Sequence, residues 1–210
     1  MNKILFIDTV TTGMNPEKCS IYRIGGIYTE DDVEKKRFDI RMRPFENARM
    51  SDQSLWICGE TRASLLDYPR YEEGFASLLE FLAGVVDIKN PKDKIYLAGF
   101  NSSAFDVPFL RETFRRNGNG RFRDYFYVQT LDVMSLSAFA LLRVRKQMPD
   151  FYLETAARYL GLDVQESEKY DCVAKAKVSL DIYRRLKAEF RLETGADVSE
   201  ATDLFTNIKP

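Results

Sequence analysis

The stretch Phe6-Ile7-Asp8-Thr9-Val10-Thr11-Thr12-Gly13-Met14-Asn15-Pro16 constrains the rest of the chain more than any other. Ile4, Leu5, Phe6 and Ile7 form an unbroken apolar run, the pattern of a buried strand, and hydroxyl residues, a glycine and a proline then turn the chain. An acidic residue, Asp8, is thereby set at the open end of a central strand. Thr11, Thr12 and Gly13 follow it with backbone N–H groups and hydroxyls, a lining of the kind that approaches a nucleotide closely.

A chain of 210 residues fits one α/β domain with a substantial core and needs no second domain. The formal net charge is −1, so no global field draws the molecule to nucleic acid or anionic lipid, and any such attraction must come from local patches. Cys19, Cys58 and Cys172 are odd in number and widely spaced, which suits reduced thiols inside a cell better than a disulfide framework or a zinc site. The start of the chain lacks the apolar core of a signal peptide, and no run approaches the roughly 20 apolar residues of a membrane span. A cytoplasmic protein with no membrane partner is expected. There is no histidine, which excludes any mechanism with a histidine base, nucleophile or ligand.

Periodicity predicts strands over 21–28 and 36–43 joined by a turn at 29–32, giving an antiparallel start to a mixed sheet. Residues 44–71 read as loop with a short helix over 53–58, in which Trp56 and Cys58 are expected to pack beneath the sheet. An amphipathic helix over 72–86, a buried strand over 95–100, a helix over 105–116 and the turn Asn117-Gly118-Asn119-Gly120 follow. A strand is expected over 126–133, with Asp132 capping or binding backbone, then helices over 136–142, 151–160 and 172–190. Residues 1–190 make the single domain, and 191–210 a C-terminal tail.

Three motifs carry the chemistry. The first is Asp8-Thr9-Val10-Thr11-Thr12-Gly13, the second Asn101-Ser102-Ser103-Ala104-Phe105-Asp106 and the third Tyr170-Asp171-Cys172-Val173-Ala174-Lys175. In this order and at these separations they resemble the motifs of the DEDD superfamily of 3′–5′ exonucleases, the DnaQ-like, DEDDh group, over roughly residues 3–187. The first family motif reads Asp-x-Glu-Thr-Thr-Gly, the second Asn-x-x-x-Phe-Asp and the third His-x-Ala-x-x-Asp. The resemblance implies a ribonuclease-H-like α/β fold, a mixed central sheet flanked by helices. It further implies metal-site acids at Asp8 and Asp106, a terminal-nucleotide pocket lined by Phe105, and an apolar wedge at Met14.

Three of the five chemical positions depart from the pattern: Val10 stands for the Glu, Tyr170 for the base His and Lys175 for the last Asp. One branch of the superfamily uses Tyr, but four residues before the Asp, whereas Tyr170 lies five before Lys175. Four carboxylates supply about −4 against the +4 of two divalent ions, while Asp8, Asp106 and Lys175 together leave about −1. No resident cofactor is therefore expected, at most one weakly held Mg²⁺ or Mn²⁺, because Val10 offers a hard cation no oxygen. If Lys175 takes a metal's place, its ammonium should stand within salt-bridge distance of Asp8 or Asp106. A phenol at position 170 is a poor base near neutral pH, and loss of a general base costs about 10²–10⁴ in rate. Glu166, Glu168 and Asp171 are the acids that could migrate into the site to compensate.

Residues 111–123 carry Arg111, Arg115, Arg116, Arg121 and Arg123 against Glu112, a local balance of +4, and Arg143, Arg145 and Lys146 form a second basic cluster. Beside Phe105, Tyr125, Phe126 and Tyr127 they can form either a groove that neutralises phosphate and stacks bases or ordinary solvated faces. The expected function is that of an exonuclease-like protein with a degraded catalytic site. It binds single-stranded or 3′ nucleic-acid ends near Asp8, Thr11, Thr12, Met14, Asn101 and Phe105, with Arg111, Arg115 and Arg116 on the phosphates. The alternatives are an active exonuclease with a rebuilt one-metal site and a scaffold that binds a protein through its cleft or tail.

Overall fold

A computed structural model describes residues 2–164 and 171–194, with side chains through 189. In chain order the elements are β1 (Lys3–Thr11), β2 (Ile21–Glu30), β3 (Val33–Arg41), α1 (Asp52–Ile57), α2 (Tyr71–Ala83), β4 (Ile95–Gly99), α3 (Asp106–Arg116), α4 (Phe122–Tyr125), β5 (Phe126–Asp132), α5 (Val133–Ala140), α6 (Leu153–Tyr159) and α7 (Cys172–Thr194). The five strands form one mixed sheet in the order β3-β2-β1-β4-β5. β1 pairs antiparallel with β2, and β2 with β3, while β4 runs parallel to β1 and β5 parallel to β4. This is the mixed sheet flanked by helices that the ribonuclease-H-like reading requires, with β1 at its centre.

The alternation of β1 builds two cores. Leu5 and Ile7 pack with Phe75, Leu78, Leu82, Phe109 and Phe114, from α2 and α3, on one face. Ile4 and Phe6 pack with Val133, Ala156, Leu180 and Ile182, from α5, α6 and α7, on the other. Successive strand residues point to opposite faces, so an unbroken apolar run is what a strand covered on both sides needs.

Two close approaches position the site. Asp8 lies opposite Gly25 on β2, and a Cβ at Gly25 would stand 2.6 Å from Cys172 Cβ and 2.8 Å from the Val173 nitrogen. Only a residue without a side chain lets the start of α7 come down beside Asp8. At the end of β4 a Cβ on Gly99 would stand 2.6 Å from the Ile7 carbonyl oxygen, and Asn101 takes a left-handed φ of 63° to start the loop into α3.

Several elements differ from expectation. β1 continues through Thr11, four residues past its apolar run, because β2 pairs with it that far. Helix α5 begins at Val133, directly after β5, because Asp132 is its N-cap and accepts from the Met134 and Ser135 N–H groups at 3.0 and 3.3 Å. Helix α7 runs to Thr194, four residues beyond 190, and the rest of the C-terminal stretch lies outside the described residues. Trp56 does not pack beneath the sheet. It is 79% exposed, while its neighbour Leu55 takes the buried position of the short α1. Among the described residues no helix is long and apolar enough to cross a membrane.

Candidate functional site

Asp8 projects from β1 toward the first turn of α7. Its Oδ2 is buried without a hydrogen-bond partner among the described residues, and its Oδ1 stands 3.8 Å from Lys175 Nζ. That is the salt-bridge distance expected of a lysine in a metal's place. Burial raises the Asp8 pKa, against the pull of the Lys175 ammonium and a contact with the Cys172 thiol. Burial also acts to discharge Lys175, but the Asp8 carboxylate, with Cys172 and Glu154, outweighs it and holds the ammonium charged. Cys172 is fully buried, and burial together with the Asp8 charge pushes its thiol far up, so it is inert at neutral pH.

Asp106 opens α3 at its first helical position. The N-cap is Phe105, whose side chain makes no capping bond. The Asp106 carboxyl is buried and accepts from Thr9 Oγ1 at 2.6 Å, across to β1. Burial, then the neighbouring Asp8 charge, push its pKa up to about 8, which keeps the group protonated at neutral pH. Val10 is partly buried against the small apolar cluster of Tyr22, Leu55 and Leu65. Tyr170, Glu166 and Glu168 lie outside the described residues. Asp171 does not enter the site: it caps α7 through the Ala174 N–H at 2.8 Å and pairs with Arg23 at 2.8 Å. Burial opposes these contacts without cancelling them, and its carboxyl stays below the usual range.

The other expected contacts divide. Thr11 and Thr12 are buried and their hydroxyls are used within the fold, Thr11 Oγ1 donating to the Gly13 carbonyl and Thr12 Oγ1 to the Arg49 carbonyl, both at 2.7 Å. Neither hydroxyl is open to a nucleotide, because Thr11 bonds within its own turn and Thr12 bonds across to the loop at Arg49. Met14 is 79% exposed and Asn101 is exposed, both free to meet a ligand. Phe105 is half-buried with its ring 5.1 Å from that of Phe109. The arginines are less available than their count suggests. Glu112 takes both Arg115, at 2.6 Å, and Arg116, at 2.8 Å, and the Arg116 guanidinium lies 3.7 Å from the centre of the Phe45 ring. Arg111 lines a groove with Ser103, Pro108 and Glu112, but none of the three arginines lines the cleft that holds Asp8.

The family model described as Exonuclease (RNase_T) matches residues 5–178. The chain belongs to this exonuclease family. Exonuclease I of E. coli, solved with single-stranded DNA and zinc, is similar in structure, with a TM-score of 0.71 at 19% identity over 90% of this chain and 41% of that one. The same enzyme with a dT13 oligonucleotide gives 0.70 at 18% identity, over 89% of this chain and 41% of that one. Exonuclease I of Methylocaldum szegediense gives 0.71 at 17%, over 90% and 41%. This exonuclease-family chain thus spans about two fifths of the length of these neighbours, and at such identity the likeness is one of fold. No curated relative matches in sequence.

In this exonuclease fold Asp8 and Lys175 share a cleft of about 710 Å³ with Phe100, Asp150, Tyr152, Glu154 and Arg158, among others. The α6 residues and their lead-in were not singled out from the sequence. Glu154 and Arg158, one helical turn apart, are the only signal there, and it is one that any solvated helix also gives. Among the described residues no group of three or more His, Cys, Asp or Glu side chains is arranged to hold a metal ion.

Proposed function

We propose that this chain is a member of the exonuclease family that holds single-stranded or 3′ nucleic-acid ends and has lost two-metal hydrolysis. The observation that carries the reading is the Lys175 ammonium 3.8 Å from Asp8 Oδ1, where the family pattern has a metal-site carboxylate. A divalent ion there would meet a fixed cation and, at Val10, no oxygen at all. The donor set does not fit a two-metal centre, and no step is assigned to one. What the chain's own residues supply is binding: Phe100 and Tyr152 line the cleft with aromatic side chains, Asn101 of the second motif and Met14 just after the first stand exposed, and Lys175 and Arg158 bring positive charge. The complexes of E. coli exonuclease I with single-stranded DNA support this choice of ligand.

The deciding experiment measures degradation of 5′-labelled single-stranded DNA and RNA with Mg²⁺ or Mn²⁺ by the wild type, Asp8→Ala, and the triple variant Val10→Glu, Tyr170→His, Lys175→Asp. The wild type is expected to bind without degrading, and the triple variant to degrade. Metal-dependent digestion by the wild type that disappears in Asp8→Ala would overturn the reading in favour of a rebuilt active site.

A further inference from the structure

Lys175 sits in the first turn of a long helix, pressed against β2 at Gly25, so its backbone has little freedom to withdraw. Its side chain is 31% exposed and lines the cleft. The 3.8 Å to Asp8 Oδ1 is short enough for attraction but too long for a hydrogen bond, and among the described residues its Nζ makes none. The charged nitrogen therefore keeps N–H donors for a ligand in the cleft, none of them spent on an acceptor among the described residues.

From this geometry we infer that Lys175 is a built-in phosphate-binding cation, which lets the cleft hold one phosphodiester of a single-stranded nucleic acid without any divalent ion. The inference rests on the nucleic-acid reading above and specifies how that ligand is held. A site with four ionised carboxylates repels a phosphate until metals arrive, whereas here the ammonium is part of the protein. Its charge is shared chiefly with Asp8 and less with Glu154, and compact ammonium groups are effective partners for phosphate. The cleft's other charges define where that phosphate can go. Asp150 is held ionised first by the Thr155 hydroxyl and then by the Tyr152 N–H at 3.1 Å, with a smaller pull from Arg158, and Glu154 lies near enough to act on both Asp8 and Lys175. Two acids on the α6 side disfavour phosphate there and leave the Lys175 ammonium as the favourable place, with Phe100 and Tyr152 lining the same cleft for the adjoining base.

The test is fluorescence anisotropy of 5′-fluorescein-labelled oligo(dT) at low salt in EDTA, with the full chain as wild type, Lys175→Gln and Lys175→Arg, each checked for folding by circular dichroism. The wild type should bind in EDTA. Lys175→Gln should weaken binding about tenfold and reduce the slope of log affinity against log salt by about 0.7, the share of one single-strand phosphate, while Lys175→Arg restores most of both. A purely structural role would not move the salt slope. Unchanged affinity and slope in Lys175→Gln, or wild-type binding that requires Mg²⁺, would overturn the assignment while leaving nucleic-acid binding intact. Absence of wild-type binding with and without Mg²⁺ would overturn the nucleic-acid reading itself and this inference with it.

Discussion

Among the described residues Asp106 carries the clearest pH signature. Its carboxyl is buried, beside the Asp8 charge, with one hydrogen bond from Thr9, and its pKa rises from an ordinary 3.8 to about 8. A raised folded-state value means that the native protein binds a proton more tightly than the unfolded chain. The stabilising contribution is then complete below about pH 4 and is lost as the pH climbs toward 8. Asp106→Asn keeps the acceptor for Thr9 and removes the titration. The melting temperature of the wild type should therefore fall relative to that of Asp106→Asn between pH 5 and pH 8.5, by several degrees, in thermal scans followed by circular dichroism. A constant gap would show that Asp106 is ionised throughout. At this scale the sequence was informative about where the motif residues stand in the fold and less about what each touches. Asp8, Asp106 and Lys175 were legible because motif spacing reports which strand end and which helix turn a residue occupies. The burial of Thr11 and Thr12 was not, because a hydroxyl that faces a ligand and one that bonds backbone within the fold look alike in sequence.

Among the elements, the junction of β5 and α5 shows how one side chain can organise several segments. Asp132 caps α5 through the Met134 and Ser135 N–H groups, and its two oxygens also accept from the N–H groups of Asn101 and Ser103, at 3.3 and 2.9 Å. It thereby ties the loop of the second motif to the neighbouring strand end, and that loop sets the direction in which α3 leaves with Asp106. Asp132→Ala should destabilise the fold by about 2–3 kcal/mol, the loss of a cap plus backbone donors left unpaired, with Asp132→Asn milder, in urea titrations. The capping role of Asp132 could be read from its residue type, but its reach to residues 101–103 could not, since it depends on β4 and β5 lying side by side. α1 gives the converse lesson. In a six-residue helix neighbouring side chains point about 100° apart, so the apolar pair Leu55-Trp56 cannot both face inward, and the sequence does not say which one does.

For the molecule as a whole, the two faces of the sheet carry two cores that share only the strands between them. Leu78 on α2 is 1% exposed in one core, and Leu180 on α7 is 0% exposed in the other. Because β1 contributes alternately to both, with Leu5 and Ile7 on one side and Ile4 and Phe6 on the other, neither core can dissolve while the other keeps its backing. A single cooperative transition follows. Leu78→Ala and Leu180→Ala should each cost about 2–5 kcal/mol and lower the urea midpoint without changing the slope of the transition. Far-ultraviolet circular dichroism is the suitable probe, since Trp56, the sole tryptophan, is already solvent-exposed in the native state and its emission reports little on unfolding. A two-step transition in Leu180→Ala, with the α2 face persisting after α7 has gone, would contradict the shared-strand argument. It would also separate α7 and Lys175 from the stability of Asp8, which the close approach at Gly25 makes one unit.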